Sequence, residues 1–175
     1  GPTNLKKPNV DKIISVNSAS EMLKAVFLNL PKHIFVSAAA VSDYKLEPII
    51  TSESKKINSK IKLKKNIILE ENFYFKPVEN PDILYEVSNC SNRPDLVVGF
   101  AAETNNLINN AKNKLKLKNL DLIVANKIDS QNKVFGEDIN SVSIIDKNNV
   151  ETLDRESKIY IANCIAKKIT SMYFN

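Results

Sequence analysis

Glycine, histidine, cysteine, arginine and tryptophan are all scarce in this chain. Its 175 residues include three glycines, one histidine, two cysteines, two arginines and no tryptophan. No G-x-G-x-x-G and no Walker loop occurs, so both standard phosphate cradles are excluded. No Ser-His-Asp set is expected, because His33, the only histidine, opens an apolar strand and reads as structural rather than catalytic. Cys90 and Cys164 are isolated, with neither a disulfide framework nor zinc spacing. No cluster of Cys, His, Asp and Glu has transition-metal spacing. This cysteine usage implies a reducing, cytoplasmic setting. No apolar run approaches the roughly 18 to 20 residues a membrane helix needs. No basic-then-apolar leader is seen, so neither membrane insertion nor export is expected.

What is abundant is lysine. Lys and Arg total 25 against 20 Asp and Glu, a net charge of +5 with a pI near 9.1. Only Arg93 and Arg155 carry the fork suited to bidentate phosphate or base readout. The lysines are spread along the chain among many Asn and Ile, which points away from nucleic acid. A few lysines gathered at a small anionic ligand would use the charge equally well. The hydrophobic fraction of 43% and this length allow one domain with a substantial core.

Periodicity predicts alternating strands and helices. "KIISV" (12–16) reads as a short strand, and "SASEMLKAVFLNL" (18–30) as a helix with a Ser18/Glu21 capping box. That helix would bury Met22, Ala25, Val26 and Leu30. "HIFVSAAAVSDY" (33–44) is a strand running into a small-residue loop, and 45–66 is a polar, lysine-rich stretch without periodicity. "IILEE" and "FYFKPV" read as strands, and Asn80 as N-cap of a helix with Pro81 at its first position. "DLVVGF" (95–100) and "LDLIVAN" (120–126) are near-continuous apolar strands, the kind buried on both faces of a parallel sheet. A helix over 104–118 lies between them. "SVSIID" and "VETLD" flank "KNN" as a hairpin. A closing helix over 155–173 would present Ile159, Ala162, Ala166, Ile169 and Met172 on one side. The pattern is that of a doubly wound α/β sheet, whose ligands sit beyond the carboxyl ends of its strands.

Three stretches could carry chemistry, each with a plain structural alternative. "VVGFAAETNN" (97–106) is either the rim of a pocket or a place where Gly99 and the alanines allow close strand–helix packing. Lys114 and Lys118 share a helix face with Leu107 and Ala111, as ligand groups or as a solvated face with snorkelling stems. "KLKK" (62–65) is either a loop that closes over a polyanion or an exposed, solubilising charge run.

Taken together, "SAAAVSDY", "KLKK", "ENPDIL", "VVGFAAETNN" and "AKNKLKLKNLDLIVAN" resemble phosphopantothenoylcysteine synthetase in order and spacing. The likeness runs from Gly1 to about Tyr173. "GFAAET" followed by a lysine-bearing helix and "NLDLIVAN" is its most specific part. It implies a three-layer, Rossmann-like α/β domain with a mainly parallel sheet, a flexible lysine-rich flap and a C-terminal hairpin. It also implies a ligase of coenzyme A synthesis. In that family the 4'-phosphopantothenate carboxylate attacks the α-phosphate of CTP, and L-cysteine then displaces CMP to form an amide. Mg²⁺ and lysines bring the anions together.

Residue by residue, Asp43 in "VSDY" resembles the family's nucleotide-binding Asp, and Ala39 and Ala40 resemble its homodimer contact. Lys62 matches the first lysine of the flap, implied to stabilise the phosphoryl-transfer transition state. Pro81, Asp82, Ile83 and Leu84 match a nucleotide-binding turn at a helix start, where free backbone N–H groups can meet a ligand. Phe100, Lys114 and Lys118 match further nucleotide contacts, and Lys45 stands where the family has Arg. No metal ligand is implied.

The family's first strand, Gly-rich turn and helix, with an Asn and an Arg near the acyl intermediate, are not in this sequence. One synthetase domain over 1–175 lacking its first β-α-β portion is therefore expected, and amide formation by the chain alone is not. The alternative is a catalytically incomplete nucleotide-binding remnant of the same fold. FMN would enter only with a phosphopantothenoylcysteine decarboxylase fused or associated upstream.

Overall fold

The computed structural model describes residue 1 and residues 6–50, 73–128 and 138–174. In chain order the elements are α1 (Ala19–Phe27), β1 (Ile34–Ser37), β2 (Tyr44–Ile50), β3 (Phe73–Glu79), α2 (Ile83–Asn89) and β4 (Leu96–Glu103). They continue with α3 (Leu107–Leu117), β5 (Leu122–Lys127), β6 (Ile139–Asp146), β7 (Val150–Ser157) and α4 (Lys158–Phe174). The chain forms two compact units, one of residues 1–40 and 82–175, the other of residues 41–81.

The first unit carries a five-stranded sheet in the order β1-β4-β5-β6-β7. β1, β4 and β5 pair in parallel, and β6 and β7 add an antiparallel hairpin. The period-two alternation of the central strands divides their side chains between two helical layers. Leu96, Val98, Leu122, Val124, Val142 and Ile144 pack with Ile161 and Ile165 of α4. On the other face Val97, Ala101, Ile123, Ala125 and Ile145 pack with Ala111 and Leu115 of α3. Burial on both faces explains why "DLVVGF" and "LDLIVAN" read as continuous apolar runs. The expected three-layer, Rossmann-like α/β arrangement with a C-terminal hairpin is what the chain forms.

Several local expectations are corrected. "KIISV" is not a strand, and of its residues only Val16 is buried. Helix α1 starts after Ser18 as expected, with Glu21 N–H donating to Ser18 Oγ at 3.2 Å. Glu21 reciprocates one residue further back, accepting from Asn17 N–H at 2.7 Å. In α4 the buried residues are Ile161 and Ile165. Of the expected face, Ile169 and Met172 pack against the same cluster, whereas Ile159 is 78% exposed and Ala162 and Ala166 are exposed too. The helix begins at Lys158, three residues later than expected, because β7 continues to Ser157.

The second unit contains β2 and β3, paired antiparallel with Tyr44 opposite Glu79 and Leu46 opposite Pro77. A strand at 44–50 falls where a structureless lysine-rich stretch was expected. Its Lys45 and Glu47 project on one face of the ribbon and pair at 2.7 Å. Pro48 and Pro77 are tolerated because in a two-stranded ribbon each strand is an edge.

Candidate functional site

β1, β4 and β5 all end at one edge of the sheet, and α2 and α3 both have their N-termini there. α2 precedes β4 and runs against it; α3 leaves the end of β4 and runs back. Cα–Cβ bonds tilt toward a helix's N-terminus. Lysines late in α3 are therefore aimed back toward the strand ends.

Gly99, in the middle of "VVGFAAE", answers a packing need. A Cβ built there would lie 2.8 Å from both Leu120 Cδ1 and Leu84 Cδ2. The bare backbone lets α2 and the start of β5 close on β4, and Leu84 is consumed in that contact. Ile83 is buried as well, so the side chains of the expected Ile83–Leu84 turn anchor α2.

Asp82 does more than the sequence indicated. It is the N-cap of α2, its Oδ1 accepting from Tyr85 N–H at 3.1 Å. Asn80, the expected cap, is engaged elsewhere: within the second unit its N–H donates to Asp43 O at 2.8 Å and its Nδ2 to Ser42 O at 2.9 Å. The helix consequently starts two residues later. Asp82 Oδ2 also lies 2.7 Å from Lys118 Nζ.

Lys114 meets a second carboxylate. Its Nζ is 2.6 Å from Glu103 Oε1, an atom shut off from solvent. Oε2 accepts from Asn110 Nδ2 at 3.0 Å. Burial alone would push the Glu103 carboxyl up, but its contacts with Lys114 and Asn110 outweigh that and hold it below its ordinary value. The end of β4 is bound to the residue that follows β5 by Ile128 N–H donating to Glu103 O at 2.8 Å.

Asp82, Leu84, Lys114 and Lys118 thus belong to one corner of the first unit, joined there by Glu103. Phe100 does not share that corner. Alternation along β4 places it on the opposite face, half-buried against the cluster beneath α4. Asp43 and Pro81 belong to the second unit, Asp43 exposed and Pro81 half-buried. Ala39 and Ala40 are exposed in the loop after β1. Lys62 lies outside the described residues. Among the described residues no three His, Cys, Asp or Glu converge on a cation. His33 is exposed, pairs with Asp95 at 2.8 Å and meets Tyr173 edge-on.

Sequence reasoning missed Glu103 and Asn110 as partners. Glu103 lies within a quoted motif and Asn110 just before the next one, but a contact between residues 103 and 114 crosses a turn that no periodicity reports.

Residues 1–173 match the DNA/pantothenate metabolism flavoprotein C-terminal domain. The chain belongs to this family. Among relatives of the family is the coenzyme A biosynthesis bifunctional protein CoaBC of Borreliella burgdorferi, 39% identical over 169 residues, or 95% of this chain and 40% of that protein. The CoaBC protein of Haemophilus influenzae is 35% identical over 174 residues, 99% of this chain and again 40% of the relative. The chain thus spans about two-fifths of the length of these curated relatives. A crystal structure of the C-terminal domain of a CoaBC protein superposes with a TM-score of 0.69 at 27% identity, covering 98% of this chain and 70% of that one.

Proposed function

We propose that this chain provides the CTP-binding part of a ligase of coenzyme A biosynthesis, joining 4'-phosphopantothenate to L-cysteine. The observation carrying this reading is that two lysines of α3 each hold a carboxylate at the strand ends, Lys114 with Glu103 and Lys118 with Asp82. A carboxylate is the stand-in such a site offers for a phosphate oxygen. An incoming triphosphate would compete for both ammonium groups.

The chemistry needs such groups. A free carboxylate does not react with an amine until its oxygen becomes part of a good leaving group. In the first step the phosphopantothenate carboxylate oxygen forms a bond to the α-phosphorus of CTP, the bond to the bridging oxygen breaks, and pyrophosphate departs. In the second the cysteine nitrogen bonds to the acyl carbon, the C–O bond to CMP breaks, and the amine loses a proton. Negative charge builds on non-bridging phosphate oxygens in the first step, and ammonium groups placed beforehand lower its cost. Lys62 is the residue proposed to do so, with Lys114, Lys118 and Asp43 as nucleotide contacts. Pro81, Asp82, Ile83 and Leu84 are proposed to meet the nucleotide through the backbone that opens α2. Phe100 retains a proposed nucleotide contact through the end of β4.

Mg²⁺ is proposed to arrive on the triphosphate oxygens. The described residues offer it no ready cage, and Mg²⁺ commonly binds through substrate phosphates. A homodimer through the exposed Ala39–Ala40 loop belongs to the same proposal, as does a phosphopantothenoylcysteine decarboxylase, with its FMN, fused or associated upstream. The setting proposed is the cytoplasm.

Titration calorimetry of the chain with CTP, ATP, UTP and GTP, each with Mg²⁺, tests the reading. CTP is expected to bind most tightly, and substitution of Lys114 and Lys118 by Met is expected to weaken it roughly tenfold or more each. Equal affinity for all four nucleotides, or indifference to both substitutions, would refute it.

A further inference from the structure

Lys118 reaches its place by an unusual route. It is the C-cap that follows the last residue of α3, yet its ammonium stands at the opposite end of α2 from its own backbone. Its carbonyl accepts from Ser88 Oγ, in the last turn of α2. Its Nζ pairs with Asp82, the cap at the first turn. Six residues separate the two anchors, about 9 Å at 1.5 Å per residue. A lysine laid along most of a helix has little slack, so a small slip of its backbone anchor would draw the ammonium away from the strand ends.

That anchor is heavily braced. The α3 terminus closes with Asn119 N–H donating to Lys116 O at 3.2 Å and Leu120 N–H to Leu115 O at 2.9 Å, with Asn119 left-handed at φ 51°. The Ser88 hydroxyl has one proton and two acceptors in reach, Tyr85 O at 3.0 Å and the nearer Lys118 O. Arg93 ties these pieces together. Its Nε donates to Ser88 O at 3.1 Å, Nη1 to Pro94 O at 2.7 Å, and Nη2 to Asn119 O at 3.0 Å and Asp121 Oδ2 at 2.7 Å. Asp121 Oδ2 in turn accepts from Val97 N–H at 2.8 Å. One guanidinium thereby joins the end of α2, the end of α3 and the start of β4. Lysine has no planar fork with which to bridge several such acceptors at once.

We infer that Arg93 and Ser88 are positioning residues for Lys118, holding the end of α3 against the end of α2 so that the ammonium is delivered to the strand ends. The inference rests on the reading of Lys118 as a nucleotide contact. It adds a specific role for one of only two arginines in the chain.

A double-mutant cycle tests it. CTP with Mg²⁺ is titrated into the chain and its variants Lys118→Met, Ser88→Ala, Arg93→Lys, Ser88→Ala/Lys118→Met and Arg93→Lys/Lys118→Met, each well below its melting temperature. Ser88→Ala removes one hydroxyl and keeps the fold accessible should Arg93→Lys fail to fold. Both single substitutions are expected to weaken CTP binding severalfold when Lys118 is present and to change nothing once it is Met. Equal weakening in both backgrounds, or none in either, overturns the positioning role while leaving the site reading intact. Lys118→Met without effect on affinity overturns the site reading itself, and the positioning role with it.

Discussion

Asp82 Oδ2 and Lys118 Nζ, 2.7 Å apart, join the N-cap of one helix to the C-cap of another. The same carboxylate satisfies Tyr85 N–H through its other oxygen. The two duties are separable. Asp82→Ala removes both the cap and the ion pair and is expected to cost about 1 kcal/mol. Asp82→Asn keeps a capping oxygen and loses only a half-exposed pair, which is worth about 0.2–1 kcal/mol. Urea denaturation of the two variants should therefore show the larger loss for alanine.

Gly99→Ala tests the packing role of the glycine. The added methyl meets Leu84 and Leu120 at 2.8 Å, nearer than unstrained contact allows. Overpacking of this kind costs about 1–3 kcal/mol. Thermal unfolding should show the loss, and trimming Leu84 to Val in the same chain should recover part of it.

Acid stability should report Glu103. Burial raises its pKa and the Lys114 and Asn110 contacts more than offset this, so its folded pKa lies below the unfolded one. Asp146 behaves alike, with burial outweighed by Lys168 and the N–H groups of Asn148 and Asn149. A depressed carboxyl contributes stability that is fully present above the unfolded value and is lost as pH falls through the folded one. Stability should accordingly drop as pH falls below about 4. Glu103→Gln should flatten part of that acid limb in a urea series taken across pH.

The sheet-facing side of α4 gives a direct contrast. Ile161→Ala opens a hole beneath the sheet and should cost about 2–5 kcal/mol. Ile159→Ala, at a position 78% exposed, should fall within about 0.5 kcal/mol of the parent chain.

That contrast also shows how far the sequence could be read. β4 and β5 were plain in it because strands buried on both faces need apolar residues at every position. The helix α4 was plain as a helix but not in its facing, since "IYIANCIAKKI" offers two overlapping apolar stripes and only the sheet selects between them. "YKLEPII" was passed over because charges and a proline mask its alternation, and a two-stranded ribbon demands little burial to correct the impression. At the site, Lys114 and Lys118 were identified through motif likeness, while their partners Glu103 and Asp82 depend on how α2, α3 and β4 meet. The same holds for Arg93, whose acceptors lie up to 28 residues away from it in the chain.

The central claim is that the corner formed by the start of α2, the end of β4 and the lysines of α3 receives a cytidine triphosphate. Backbone amide NMR of the isotope-labelled chain, recorded during titration with CTP and Mg²⁺, addresses it most directly. The account predicts saturable shifts concentrated at residues 82–85, 99–104 and 114–118. Shifts confined to other parts of the chain, or a spectrum unchanged at millimolar nucleotide, would contradict it.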